Sequence, residues 1–149
     1  MKTIRTRDFG EVAFDANEVL TFEKGLVGFD DFRRFILVRV EGTDPFHVLL
    51  SLDQPDVNFP LLHADLVLTD GGREYQGLVE EELGRPLEEE DIFFVVQVGA
   101  RPEEARVNLR GPILLNARGR AGRQCVLEDS SLPMDHRLIS TPVSAGERP

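Results

Sequence analysis

The sequence has very little of what covalent, redox or metal chemistry requires. Of its 149 residues one is cysteine, Cys125, and three are histidine, His47, His63 and His136. A lone thiol forms no intramolecular disulfide, and such sparing use of cysteine suits a reducing compartment. The histidines are far apart and have no cysteine at ligand spacing, so no metal or other cofactor is expected. Tryptophan is absent and ten of the eleven aromatic residues are phenylalanine, so the core should be aliphatic with Phe anchors. No apolar run approaches the ~20 residues of a membrane helix. The basic start, Met1 to Asp8, has no apolar segment behind it that would make a leader. A cytoplasmic location and no membrane contact are the expectation.

Positive charge is also scarce. Lys and Arg total 17 against 27 Asp and Glu, for a formal net charge of -10 and a pI near 4.7. That field repels phosphates, so direct binding to nucleic acid is disfavoured. It keeps a protein soluble and also suits a basic partner.

Catalytic motifs are missing too. No Gly-x-Ser-x-Gly string occurs, and Ser51 sits in an apolar run with no base supplied at a recognisable spacing. Gly25-Leu26-Val27-Gly28 follows a strand but lacks the spacing of a phosphate loop. The acidic runs Glu80-Glu81-Glu82 and Glu88-Glu89-Glu90-Asp91 read as solvated faces, because consecutive acids on a polar segment lack the burial that raises a pKa. One alternative remains open: His63-Ala64-Asp65 places two polar side chains on one strand face, as in a small ligand-binding or hydrolytic β-barrel protein.

What is present is a series of short apolar, β-branched runs separated by Gly, Pro and Asp. They are 19–22, 35–40, 46–52, 61–68 with a break near Ala64, 92–98, 107–116 broken at Gly111-Pro112, and 124–127. Runs of this length are strands rather than buried helices. The expected fold is all-β, mainly antiparallel: a small β-barrel-like single domain with one or two short helices. Gly42-Thr43-Asp44-Pro45 reads as a turn, and Gly71-Gly72 and Arg118-Gly119-Arg120-Ala121-Gly122 read as hairpin connections. Asp30-Asp31-Phe32-Arg33-Arg34 suits one helical turn by its charge order. A short helix is expected within Glu80 to Glu90, limited by Gly84 and Pro86. Residues 140–149 read as a disordered tail after a domain spanning 1–139.

One string points outward. Phe22-Glu23-Lys24-Gly25-Leu26-Val27-Gly28-Phe29-Asp30 resembles the Phe-x-x-Gly-Leu-x-Gly-Phe-acid signature of the FliW family of flagellar assembly factors. Pro45-Phe46, Leu49-x-Ser51-Leu52 and Phe59-Pro60-Leu61-Leu62 follow in family order. Val107-Asn108-Leu109-Arg110-Gly111-Pro112-Ile113, Leu115-Asn116, Gly122-x-Gln124 and Arg137 complete a likeness spanning most of residues 9–138. Ala64 departs from a common proline, and Met134 stands where a tyrosine is common.

The resemblance implies a compact β-barrel-like fold and a non-enzymatic regulator that binds other proteins; a monomer is the expectation. FliW proteins bind cytoplasmic flagellin and, in alternation, CsrA, a small RNA-binding repressor of flagellin translation. Phe22, Gly25, Leu26, Gly28, Phe29, Pro45, Phe46, Ser51, Leu109 and Pro112 are expected to be structural signature positions. Asn108, Asn116 and Gln124, polar residues in apolar strands, and Phe59 are the candidate partner-binding residues. No catalytic residue is expected.

Overall fold

The computed structural model describes residues 1–39, 41–42, 45–68, 72–101, 104–129 and 131–138. The expected tail over 140–149 lies outside these residues, as do Ile139, Thr43, Asp44 and Gly71. The strands are β1 (Lys2–Thr6), β2 (Gly10–Phe14), β3 (Leu20–Phe22), β4 (Arg34–Val38), β5 (His47–Ser51), β6 (Asn58–His63), β7 (Asp91–Gln97), β8 (Arg106–Val107), β9 (Ile113–Asn116), β10 (Ala121–Gln124) and β11 (His136–Arg137). One α-helix, α1 (Arg73–Leu83), and two short 3₁₀ turns, Ala16–Glu18 and Ala64–Leu66, complete the described elements.

Seven strands close into a barrel. The order runs β7-β6-β5-β4-β3-β10-β9 and returns to β7 through the pairs Asp91↔Leu115, Ile92↔Leu114 and Phe93↔Ile113. All these contacts are antiparallel except β3 with β10, where Ala121↔Thr21 and Gly122↔Phe22 run parallel. Closure removes the unpaired edges that an open sheet would expose.

The runs look continuously apolar because both faces of each strand are covered. Alternate residues point inward, and Phe22, Phe35, Leu49, Leu61, Phe93, Ile113 and Leu115 form one cluster inside the barrel. Their neighbours point out. Phe94, Val96 and Leu114 meet α1 through Tyr75 and Val79, while Ile36 and Leu50 lie under the β1–β2 hairpin through Phe14, Ile4 and Val12. Phe22, Phe35 and Phe94 are fully buried, each stabilising the fold by roughly 1.5–3 kcal/mol. Tyr75 and Val79 lie four apart, on one helix face. The Tyr75 hydroxyl donates to the Leu109 carbonyl, and its burial raises the phenol pKa.

Four sequence expectations shift. The helix covers Arg73–Leu83 rather than 80–90, and it stops at Gly84, whose φ of 76° is left-handed and whose N–H bonds the Glu80 carbonyl. Gly72 is not part of a hairpin; it is the left-handed residue from which α1 starts. Asp30 to Arg33 form a turn, not a helix, because the Asp53 carboxylate accepts from the Arg33 and Arg34 amides at 2.7 and 2.9 Å and draws Arg34 into β4. The Arg118–Gly122 hairpin forms, but its left-handed residue is Arg120, at φ 52°, and not a glycine.

Candidate functional site

The signature string is a plug and a turn at one rim of the barrel. After Phe22 the Gly25 amide donates to the Phe22 carbonyl at 3.0 Å. Gly25 has φ 65°, and a Cβ there would sit 2.5 Å from the Phe29 carbonyl oxygen, so only glycine fits. Leu26, 3% exposed, turns in to join the barrel core. The chain then reverses in a tight turn, with Phe29 N–H donating to the Leu26 carbonyl at 2.7 Å. Val27 and Phe29 are left facing solvent at 65% and 37% exposure.

Gln124 holds this turn in place. Its Oε1 accepts from the Val27 amide at 2.9 Å while its Nε2 donates to the Gly111 carbonyl at 3.0 Å. The two contacts admit one amide orientation. A Cβ at Gly111 would lie 2.8 Å from that Nε2 and push the Gln124 amide out of place.

Beside the turn lies a shallow cleft of about 440 Å³ lined by Val27, Phe29, Asn58, Phe59, Pro60, Gln97, Asn108, Gln124 and Met134 among others. It opens where β6 and β7 part. Their pairing ends at Leu61↔Val95, and the next residue, Pro60, has no N–H to donate. The floor is aromatic: Phe29 packs edge-on to Phe59 at 5.2 Å and stacks on Phe32 at 5.6 Å. Exposed apolar surface bounded by amides is a composition common where proteins bind other polypeptides.

Of the candidate partner-binding residues, Asn108, Gln124 and Phe59 meet at this cleft. Asn116 lies instead on the β9–β10 hairpin, where its Oδ1 accepts from Gly119 N–H at 2.9 Å. The Asn108 Oδ1 accepts from the Arg110 amide at 2.9 Å. Both asparagines therefore hold turns with one side-chain atom, while no hydrogen bond engages their Nδ2 groups among the described residues. Among the structural signature positions, Phe22, Leu109 and Pro112 are buried, Phe46 is half-buried, and Pro45 is exposed at the entry to β5. Ser51 is fully buried and its Oγ accepts from the Gln54 amide at 2.9 Å.

Sequence reasoning missed Val27, Asn58, Pro60, Gln97 and Met134 as cleft residues. The one local signal was Val27, a β-branched residue between two turn glycines with nothing nearby to bury it.

His63 and Asp65 do not converge in a cavity. The His63 Nδ1 accepts from the Asp65 amide at 3.1 Å, capping the 3₁₀ turn, and its Nε2 lies 3.5 Å from Asp91 Oδ1. Both carboxylates are solvated, at 73% and 66% side-chain exposure. Among the described residues no group of three or more His, Cys, Asp or Glu is placed to hold a metal, and no helix is long and apolar enough to cross a membrane.

Comparison with known proteins agrees with this geometry. The family described as FliW protein matches residues 3–138. The chain is 36% identical over 135 residues to the flagellar assembly factor FliW of Thermotoga sp. (strain RQ2), covering 87% of this chain and 88% of that one. It is 34% identical over 144 residues to the flagellar assembly factor FliW of Bdellovibrio bacteriovorus, covering 92% and 79%. A crystal structure of the flagellar assembly factor FliW superposes with a TM-score of 0.74 at 25% identity, covering 92% of this chain and 96% of that one. With its sequence matched from residue 3 to 138 and its closed barrel shared with that crystal structure, the chain belongs to the FliW family.

Proposed function

We propose that this chain is a non-catalytic, cytoplasmic flagellar assembly factor that binds flagellin and, in alternation, CsrA, so that the flagellin level sets flagellin translation. The observation that carries this reading is membership of the FliW family over nearly the whole chain, with relatives named flagellar assembly factors. The cleft beside Gln124 supports it. Its exposed apolar floor suits one segment of a polypeptide, and the Asn108 Nδ2 at its margin, beside the turn that Gln124 holds, suits that segment's backbone. The net charge of -10 favours a basic RNA-binding protein as the second partner.

The test is to mix the purified chain with flagellin and with CsrA and to follow each mixture by size-exclusion chromatography. Each pair should co-elute, and excess flagellin should release CsrA. Val27→Asp changes an exposed side chain at the cleft, so it should leave the fold intact while weakening the flagellin complex about tenfold or more, the usual cost of a charge at an apolar contact. Absence of both complexes at micromolar concentration would refute the proposal.

A further inference from the structure

On its other side Gln124 lines a larger groove of about 890 Å³, open to solvent, between the β9–β10 hairpin, the residues after β3 and the segment that follows α1. On a chain of net charge -10, this lining is basic: Lys24, Arg85, Arg120 and Arg123 face it, against Glu23 and Glu90. Arg85 and Glu90 neutralise each other in an ion pair. No ion pair engages Lys24, Arg120 or Arg123 among the described residues, and Arg123 also hydrogen-bonds the Cys125 side chain, so on the lining three cations face Glu23.

The backbone adds a second observation. Arg120, at φ 52°, is the non-glycine residue held in the left-handed region among those described. An L side chain meets a steric cost there, and such strain concentrates at functional sites. Gly119, which would carry no such cost, stands one position earlier. The strained residue is also firmly fixed: its N–H bonds the Ala117 carbonyl at 3.3 Å and its carbonyl accepts from Thr21 N–H at 3.0 Å. Any ordinary hairpin would be served by glycine at 120, so the structure retains a long cation at a position that disfavours one.

We propose that this groove binds a short acidic peptide segment of a protein partner, its carboxylates held by Arg120, Arg123 and Lys24. Guanidinium groups take carboxylates two bonds at a time. Val19, half-buried on the lining, offers contact to the aliphatic part of such a segment. A long polyanion fits less well, since a nucleic acid strand would leave the groove and run over an acidic surface. The site is separate from the Phe29–Phe59 cleft and does not depend on the function proposed for it.

The probe is a fluorescein-labelled peptide of alternating glutamate and alanine, titrated by fluorescence anisotropy at low salt. Saturable binding is expected, weakened about tenfold or more in Arg120→Glu/Arg123→Glu and unchanged in Arg5→Glu, which alters a cation on β1, outside the groove lining. Arg120→Gly separates function from architecture: it should melt at a higher temperature and yet bind the peptide more weakly. Three outcomes would each overturn the proposal: no saturation, equal affinity in the double-Glu variant, or tighter binding of an oligothymidylate of the same charge.

Discussion

Gln124→Ala should loosen the signature turn without dismantling the barrel. The side chain joins two segments that nothing in the local chain brings together, accepting from Val27 N–H at 2.9 Å and donating to the Gly111 carbonyl at 3.0 Å. Each bond contributes about 0.5–1.5 kcal/mol net, and the half-buried Gly111 carbonyl is left without its partner, so the loss is about 2 kcal/mol. For a domain of this size that lowers the melting temperature by roughly 4–8 °C. Hydrogen exchange at the Val27 amide gives the local reading: it should be protected in the native chain and exchange rapidly in the variant. Gln124→Glu sharpens the test. At neutral pH it sets a carboxylate oxygen against the Gly111 carbonyl, two acceptors facing each other, and it should destabilise more than alanine does. The charged form is disfavoured in the folded state, so the pKa of that new carboxyl is raised, and stability should recover as falling pH protonates it into a donor. A melting temperature for Gln124→Ala within about 1 °C of the native value, with Val27 exchange unchanged, would refute the clamp.

Two further outcomes follow from the packing and the charges. Gly122→Ala would place a methyl 2.3 Å from the Phe22 ring, which is fully buried and packed edge-on to Phe35 at 4.9 Å. Overpacking of this kind costs about 1–3 kcal/mol, visible as a reduced denaturant midpoint. The Arg85 hydrogen bond, with burial opposing it, brings the Glu90 carboxyl pKa from 4.5 down to about 2. Because the folded value is depressed, this pair stabilises above pH 4.5 and its contribution fades as pH falls toward about 2. Arg85 is solvent-exposed, and screening keeps the contribution small. Glu90→Gln should therefore lower stability at pH 7 and match the native chain near pH 2, by urea unfolding across that range.

The strand segments were legible because their signal is local. A run such as Phe35 to Val38 is apolar at every position, and burial on both faces leaves that mark in any short window. The β1–β2 hairpin left almost none. Lys2–Thr6 and Gly10–Phe14 turn in only Ile4, Thr6, Val12 and Phe14, with Arg5 and Ala13 between them and Lys2 and Glu11 beside them. The helix was displaced for a related reason: Glu88 to Glu90 have helical composition, but Gly84 had already ended α1 through its left-handed φ. Gly72, adjacent to another glycine, looked the same in sequence whether it opened a hairpin or a helix.

The sequence by itself determined the β class, the glycines at 25 and 28 where the backbone takes positive φ, and the family likeness, since steric limits and apolar patterning act between near neighbours. Tertiary structure alone decided the site. Val27 and Gln124 are 97 residues apart, and only closure of the barrel through β3, β10 and β9 sets the amide of one against the side chain of the other. Pro60 became the edge of a cleft because β7 happened to be its neighbour. Hydrogen bonding across a closed sheet depends on which strands meet, and that is a property of the whole chain rather than of any segment.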